Sequence, residues 1–190
     1  MPVSASHATI RAMRVDDLIT LDRQRALPEF VLFWGGKQAH GIGKSCLSQW
    51  YPSPFTVDGV GYPTAEHFMM TGKARLFGDA EAEARILADP DPGKAKAAGR
   101  TVRGFDETVW VEHRYDIVVA GNRAKFGTPG RLRNFLLSTS GKVLVEASPY
   151  DTIWGIGLGE QQPESLRPSQ WRGLNLLGFA LMDVRAEIAP

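Results

Sequence analysis

Between Thr64 and Leu137 the chain is punctuated as a succession of helices, and this stretch limits the fold more than any other. Pro63 and the hydroxyl of Thr64 open a helix over 64–77, and Asp79 caps a second that reaches Ala88. Pro92 begins a third, which Gly99 stops. Asp106 caps a fourth, in which Trp110, Arg114 and Val118 recur at helical spacing towards Ala124, and a shorter fifth runs over 129–137. Strand signals are few. Phe30–Phe33 is a short apolar run, Asp58-Gly59 between Val57 and Val60 spells a hairpin within 56–62, and Lys142–Ala147 is a strand. Residues 148–172 read as a loop rich in glycine and proline. The closing helix over 174–188 sets Leu174, Leu177, Leu181, Val184 and Ile188 on one face. With 190 residues and 43% hydrophobic content, one well-filled core is expected. The expectation is a mainly α, single compact helical domain over 29–190 with short strands and a hairpin at its edge. It is preceded by a flexible leader, 1–28, holding a short helix over 16–25.

Several function classes drop out on composition. The 22 basic and 21 acidic residues leave a net charge of +1, so no global electrostatic grip on nucleic acid or membrane is indicated. Cys46 is the single cysteine, and His7, His40, His67 and His113 show no paired-ligand spacing, so neither a disulfide framework nor a zinc site is expected. No window approaches the roughly 18 apolar residues of a membrane span, and no signal-peptide core is present, which points to a cytoplasmic protein.

The chemistry gathers in two places. Glu66 and Lys73 lie seven residues apart on the first helix, so at about 100° per residue they face the same way, within about 20° and roughly 10 Å along the axis. Met70 and Phe77 share that stripe. A carboxylate and an ammonium on an apolar face are costly unless they line a cleft; the plain alternative is a structural carboxylate near a helix start and a snorkelling lysine. The second place is 146–157, where a strand end delivers Glu146 into a loop carrying Asp151, Trp154, Gly155 and Gly157. Glycines beside Trp154 would let backbone N–H groups approach a ligand, whereas an Asx turn with a packing tryptophan is the plain reading. The GxGxG spacing, with prolines following, is not a dinucleotide fingerprint. Lys94, Lys96, Arg100 and Arg103 suit a phosphate or else form a solvated helix face. Phe33, Trp34, Trp50 and Tyr51 suit stacking on a flat heterocycle or packing under loops. Together these parts suggest hydrolysis at a sugar carbon. A carboxylate would stabilise an oxocarbenium-like state, Asp151 or a neighbouring acid would protonate the leaving base, and Lys73 would hold a phosphate or attack an opened sugar as a Schiff base.

Many separated motifs, in order from about residue 30 to 186, resemble the NADAR (YbiA-like) family. They include Leu47-Ser48-Gln49-Trp50-Tyr51-Pro52, Tyr62-Pro63-Thr64-Ala65-Glu66-His67 with Lys73-Ala74, and Phe77-Gly78-Asp79. They continue through Gly99-Arg100, Phe105-Asp106, Trp110, Arg114, Ala124-Lys125-Phe126, Leu144-Val145-Glu146-Ala147-Ser148, Asp151-Thr152-Ile153-Trp154-Gly155-Ile156-Gly157 and Trp171-Arg172-Gly173-Leu174-Asn175-Leu176-Leu177-Gly178. The resemblance implies a mostly helical N-glycosidase with no metal or other cofactor. Its substrate would be a phosphoribosylamino-pyrimidine intermediate of riboflavin synthesis, or ADP-ribosylated guanine in nucleic acid within a toxin–antitoxin context. It also implies pocket residues: Glu66, Lys73, Asp151 and Trp154, supported by Trp110, Asn122 and Glu146. Gln49, Trp50, Gly155 and Arg100 complete the candidate binding set. Gln49 stands where many members carry Asn, Thr71 where a small apolar residue is usual, and the leader has no counterpart. A different class of function remains open at this point, a non-catalytic module that binds NAD or ADP-ribose; a nucleic-acid binder is disfavoured by the near-neutral charge.

Overall fold

A computed structural model describes residues 13–35 and 41–190. Among them seven α-helices surround two small sheets: α1 Val15–Arg23, α2 Ala65–Leu76, α3 Ala80–Leu87, α4 Pro92–Gly99, α5 Glu107–Gly127, α6 Arg131–Ser138 and α7 Leu176–Glu187. Strand β1 (Phe30–Phe33) pairs in parallel with β4 (Val143–Glu146), and β2 (Phe55–Val57) forms a hairpin with β3 (Val60–Tyr62). The mainly α architecture read from the sequence is the one observed.

Asp79 and Asp106 cap their helices as the residue types predicted, and Asp91 caps α4 just ahead of Pro92. The carboxylates of Asp79, Asp91 and Asp106 accept from the N–H groups of Ala82, Lys94 and Val109, satisfying helix-start donors that would otherwise face no partner. Asp58 and Gly59, both at positive φ, close the β2–β3 hairpin with the turn that matches strand twist. The parallel register pairs Phe33 with Glu146, so the β1–β4 ribbon ends by presenting Glu146 at one edge.

The α2–α5 and α5–α7 pairs and the β1–β4 ribbon enclose the core. One cluster joins Phe33, Tyr51, Met70, Phe126, Leu144 and Leu181. A second joins Leu18 of α1 to Val143, Val145, Ile156 and Phe179. Residues 15–23, read as part of a flexible leader, are therefore a packed helix; the remainder of that segment up to residue 12 lies outside the described residues, as does His40. The expected stripe of the last helix holds from Leu177 onward, but Leu174 is 48% exposed. Asn175 takes a left-handed backbone (φ 52°) and delays the helix to Leu176, so Leu174 never joins the stripe. The buried Asn175 side chain then bridges the ribbon to α7, donating to the Leu144 carbonyl (2.9 Å) and accepting from the Glu146 N–H (2.9 Å).

Candidate active site

The first turn of α2 is tied down on three sides. Thr64 caps it, its hydroxyl 2.8 Å from Nδ1 of His67, and His67 Nε2 donates to the Asp89 carbonyl at 2.8 Å. The Glu66 N–H donates to the carbonyl of Gln49 (3.0 Å), locking the 48–50 loop against the helix. This fixes Glu66, only 2% exposed, with Oε1 lacking a hydrogen-bond partner among the described residues. Burial pushes its carboxyl up to about 7 and Asp151 adds to the rise, while Lys96, the Trp50 side chain and Arg100 oppose it.

Two adjoining cavities of about 330 and 340 Å³ share Lys96, Arg100, Tyr150 and Asp151 in their walls. The aromatic lobe adds Trp34, Trp50, Ser148 and Glu146. The second lobe adds Glu66, Met70, Lys73, Trp110 and Trp154. Glu66 and Lys73 thus share one wall, as their spacing predicted. The Lys73 ammonium rests 3.9 Å from the Phe105 ring centroid and 5.6 Å from that of Trp110. Burial lowers its pKa, opposed by Glu107. Lys96 on α4 and Arg100 at its C-terminal cap reach both lobes because α4 lies hard against α2: at Gly99 a side chain would collide with Met70.

The basic run resolves into both of its readings. Lys94 pairs with Asp89 (2.6 Å) and Arg103 with Asp79 (2.8 Å), while Lys96 and Arg100 face the cavities. The aromatics divide likewise. Phe33 and Tyr51 are core, whereas Trp34 (52% exposed) and Trp50 (40% exposed) line the aromatic lobe.

Glu146 is partly buried as a residue, but its Oε2 is enclosed and, among the described residues, without a hydrogen-bond partner. Burial raises its carboxyl to about 8, Asp151 and Glu66 raising it further and Lys96 opposing. Asp151 accepts through Oδ1 from the N–H groups of Ile153 (2.9 Å) and Trp154 (2.7 Å), so the Asx turn is real even though the residue lies on both cavity walls.

Three sequence candidates stand behind the cavity surface. Asn122 donates to Gln49 Oε1 (3.0 Å) and to the Val118 carbonyl (2.9 Å), forming a buried pair that backs the 48–50 loop. Gly155 approaches its own strand rather than a ligand. A Cβ there would lie 2.8 Å from the Glu146 carbonyl and 3.0 Å from that of Asp151, so glycine is needed to fold the loop onto the strand end. Two contributors were missed. Lys125, buried, donates to the Ser48 carbonyl (2.8 Å) beneath the 48–50 loop; burial lowers its pKa to about 7, with Cys46 opposing. It continues the Arg114, Val118, Asn122 stripe of α5, which a helical wheel displays. Asn175 carried no such periodic signal.

This arrangement of buried acids, cations and aromatic faces coincides with a family assignment. The NADAR domain matches residues 32–189, and the chain belongs to that family. It is 42% identical over 161 residues to N-glycosidase R617 of Acanthamoeba polyphaga mimivirus, covering 82% of this chain and 95% of the relative. A riboflavin biosynthesis protein of Zea mays, PYRR, is 37% identical over 140 residues, 69% of this chain and 20% of the relative. The NMR structure of E. coli YbiA superposes with a TM-score of 0.68 at 26% identity, covering 85% of this chain and 86% of the other.

Proposed function

We propose that this protein is an N-glycosidase that hydrolyses the bond between the anomeric carbon of a phosphorylated riboside and a nitrogen of its base. The observation that carries this reading is the buried Glu66 carboxyl, whose Oε1 has no hydrogen-bond partner among the described residues, on the wall of a cavity that also holds Lys73, Lys96 and Arg100. A buried carboxyl with an unsatisfied oxygen costs folding free energy, which a binding role offsets. Glu66 in its ionised form stabilises positive charge developing at the anomeric carbon and orients the attacking water. The cations hold the substrate's phosphate. Trp50 and Trp34 offer faces on which a flat base stacks. The R617 name, N-glycosidase, supports the class of bond, and the PYRR name, a riboflavin biosynthesis protein, supports a substrate of riboflavin-precursor type; ADP-ribosyl-guanine presents the same bond and the same phosphate chemistry.

Calorimetry run beside chromatographic detection of released base, with a phosphoribosylamino-pyrimidine and with ADP-ribosyl-guanosine, tests this reading. Release of free base from at least one substrate supports it. Saturable binding with both substrates intact after long incubation would make the protein a binding module instead.

A further inference from the structure

We infer that Glu146 is the proton donor to the departing base, acting as a pair with Glu66, one carboxyl in each of the two adjoining lobes. This rests on the N-glycosidase reading above, and it moves the acid role away from Asp151.

The geometry supports the reassignment at each residue. Glu146 ends β4 in the aromatic lobe, on the side where Trp34 and Trp50 offer faces to a base, and Asn175 fixes its backbone N–H at 2.9 Å. Its Oε2 and the Oε1 of Glu66 are both enclosed, and neither has a hydrogen-bond partner among the described residues. Two such carboxyl oxygens on one pair of cavities are costly as structure and explicable as groups awaiting substrate. Asp151 is differently placed. Two backbone N–H groups converge on its Oδ1, so that oxygen is already engaged in holding the loop.

The charges facing Glu146 come from three directions: Glu66 on α2, Asp151 on the loop after β4, and Lys96 on α4. With the two acids outweighing the lysine and burial dominating, the Glu146 carboxyl is raised to about 8, and burial raises that of Glu66 towards neutrality as well. The two raised carboxyls share a proton as a pair, and Glu146, in the lobe where Trp34 and Trp50 offer faces to a base, is the one placed to pass it on. In the reaction the bond from the anomeric carbon to nitrogen breaks and its electron pair goes to nitrogen, which takes the Glu146 proton. Water adds to the anomeric carbon and gives a proton to Glu66. The pair again holds one proton, now on Glu66, and its return to Glu146 resets the site. The sum is riboside plus water giving ribose phosphate plus base.

The test compares wild type, Glu146→Gln and Asp151→Asn on two leaving groups across pH. One is a phosphoribosylamino-pyrimidine, whose nitrogen must be protonated to leave. The other is nicotinamide riboside 5′-phosphate, whose pyridinium departs as a neutral molecule without a proton. Glutamine matches the neutral carboxyl in shape, and Glu146→Asp, which retains an acid, is a second variant should Gln fold poorly. The expected result is a wild-type kcat on the first substrate that falls above about pH 8. In Glu146→Gln that fall should vanish and the rate drop about 100-fold, with less than about 5-fold loss on the pyridinium substrate. Asp151→Asn should retain the alkaline fall, and Glu146→Asp should show a displaced one. Equal losses on both substrates, or an alkaline fall that persists in Glu146→Gln and disappears in Asp151→Asn, overturns the assignment. If wild type releases base from neither substrate, the N-glycosidase reading itself fails and takes this proposal with it.

Discussion

Replacing Glu66 by Gln should make the protein more stable at neutral pH while disabling it, because the site holds an acid where ionisation is unfavourable. Burial raises the Glu66 carboxyl from an ordinary value near 4.5 to about 7. Below about 4.5 the group is neutral in folded and unfolded chains alike, and its full stability is present. As pH rises towards 7 the unfolded chain ionises first, so stability is lost through this window and stays level above it. The rise from about 4.5 to about 7 gives an upper figure of about 3–4 kcal/mol. Gln is neutral throughout and escapes this penalty. Urea denaturation of both proteins at pH 4.5, 6 and 8 reads the difference. The two should be close in stability at pH 4.5, and the variant should lead by about 2–3 kcal/mol at pH 8. In a chain of this length that is a melting shift of roughly 4–12 °C. A difference that does not change with pH would refute the claim that Glu66 is enclosed and reluctant to ionise.

Other outcomes follow from the same geometry. Burial lowers Lys125 to about 7, so the wild type should gain stability as pH rises from 7 towards 10.5, where the unfolded lysine alone still carries its proton; denaturation of Lys125→Met should lack that slope. Asn175→Ala removes two buried hydrogen bonds and strains a left-handed position, which should cost about 2–4 kcal/mol in urea titration, whereas Asn175→Gly, free of the strain, should lose less. Lys73→Met should raise KM about tenfold for a phosphorylated riboside and much less for the riboside without phosphate, read by base-release kinetics; a covalent sugar adduct on Lys73 trapped by borohydride would make it a nucleophile instead.

Much of this site was legible because it is written in helical spacing and caps. Thr64 placed the start of α2, the seven-residue interval put Glu66 and Lys73 on one cavity, and the run from Glu146 to Trp154 supplied lining to both lobes. What escaped is what depends on contacts between distant segments. Nothing local to Gly155 says whether the backbone nearby is a ligand's or its own strand's, and only the fold of the loop onto β4 decides it. The basic run could not be divided from sequence, since Lys94 and Arg103 find their acids on the loop before α4 and at the start of α3. Asn175 was passed over because its role lies in a backbone conformation, and its effect was to shorten the last helix and expose Leu174.

The central claim is that Glu66, buried among cations and aromatic rings, is the group on which glycosidic cleavage depends. Its most direct test is the single-turnover rate of base release from a phosphorylated N-riboside by wild type and Glu66→Gln, with binding measured in parallel. The account predicts binding within a few-fold of wild type and a chemical step slower by at least about 100-fold. Equal rates in the two proteins would contradict it.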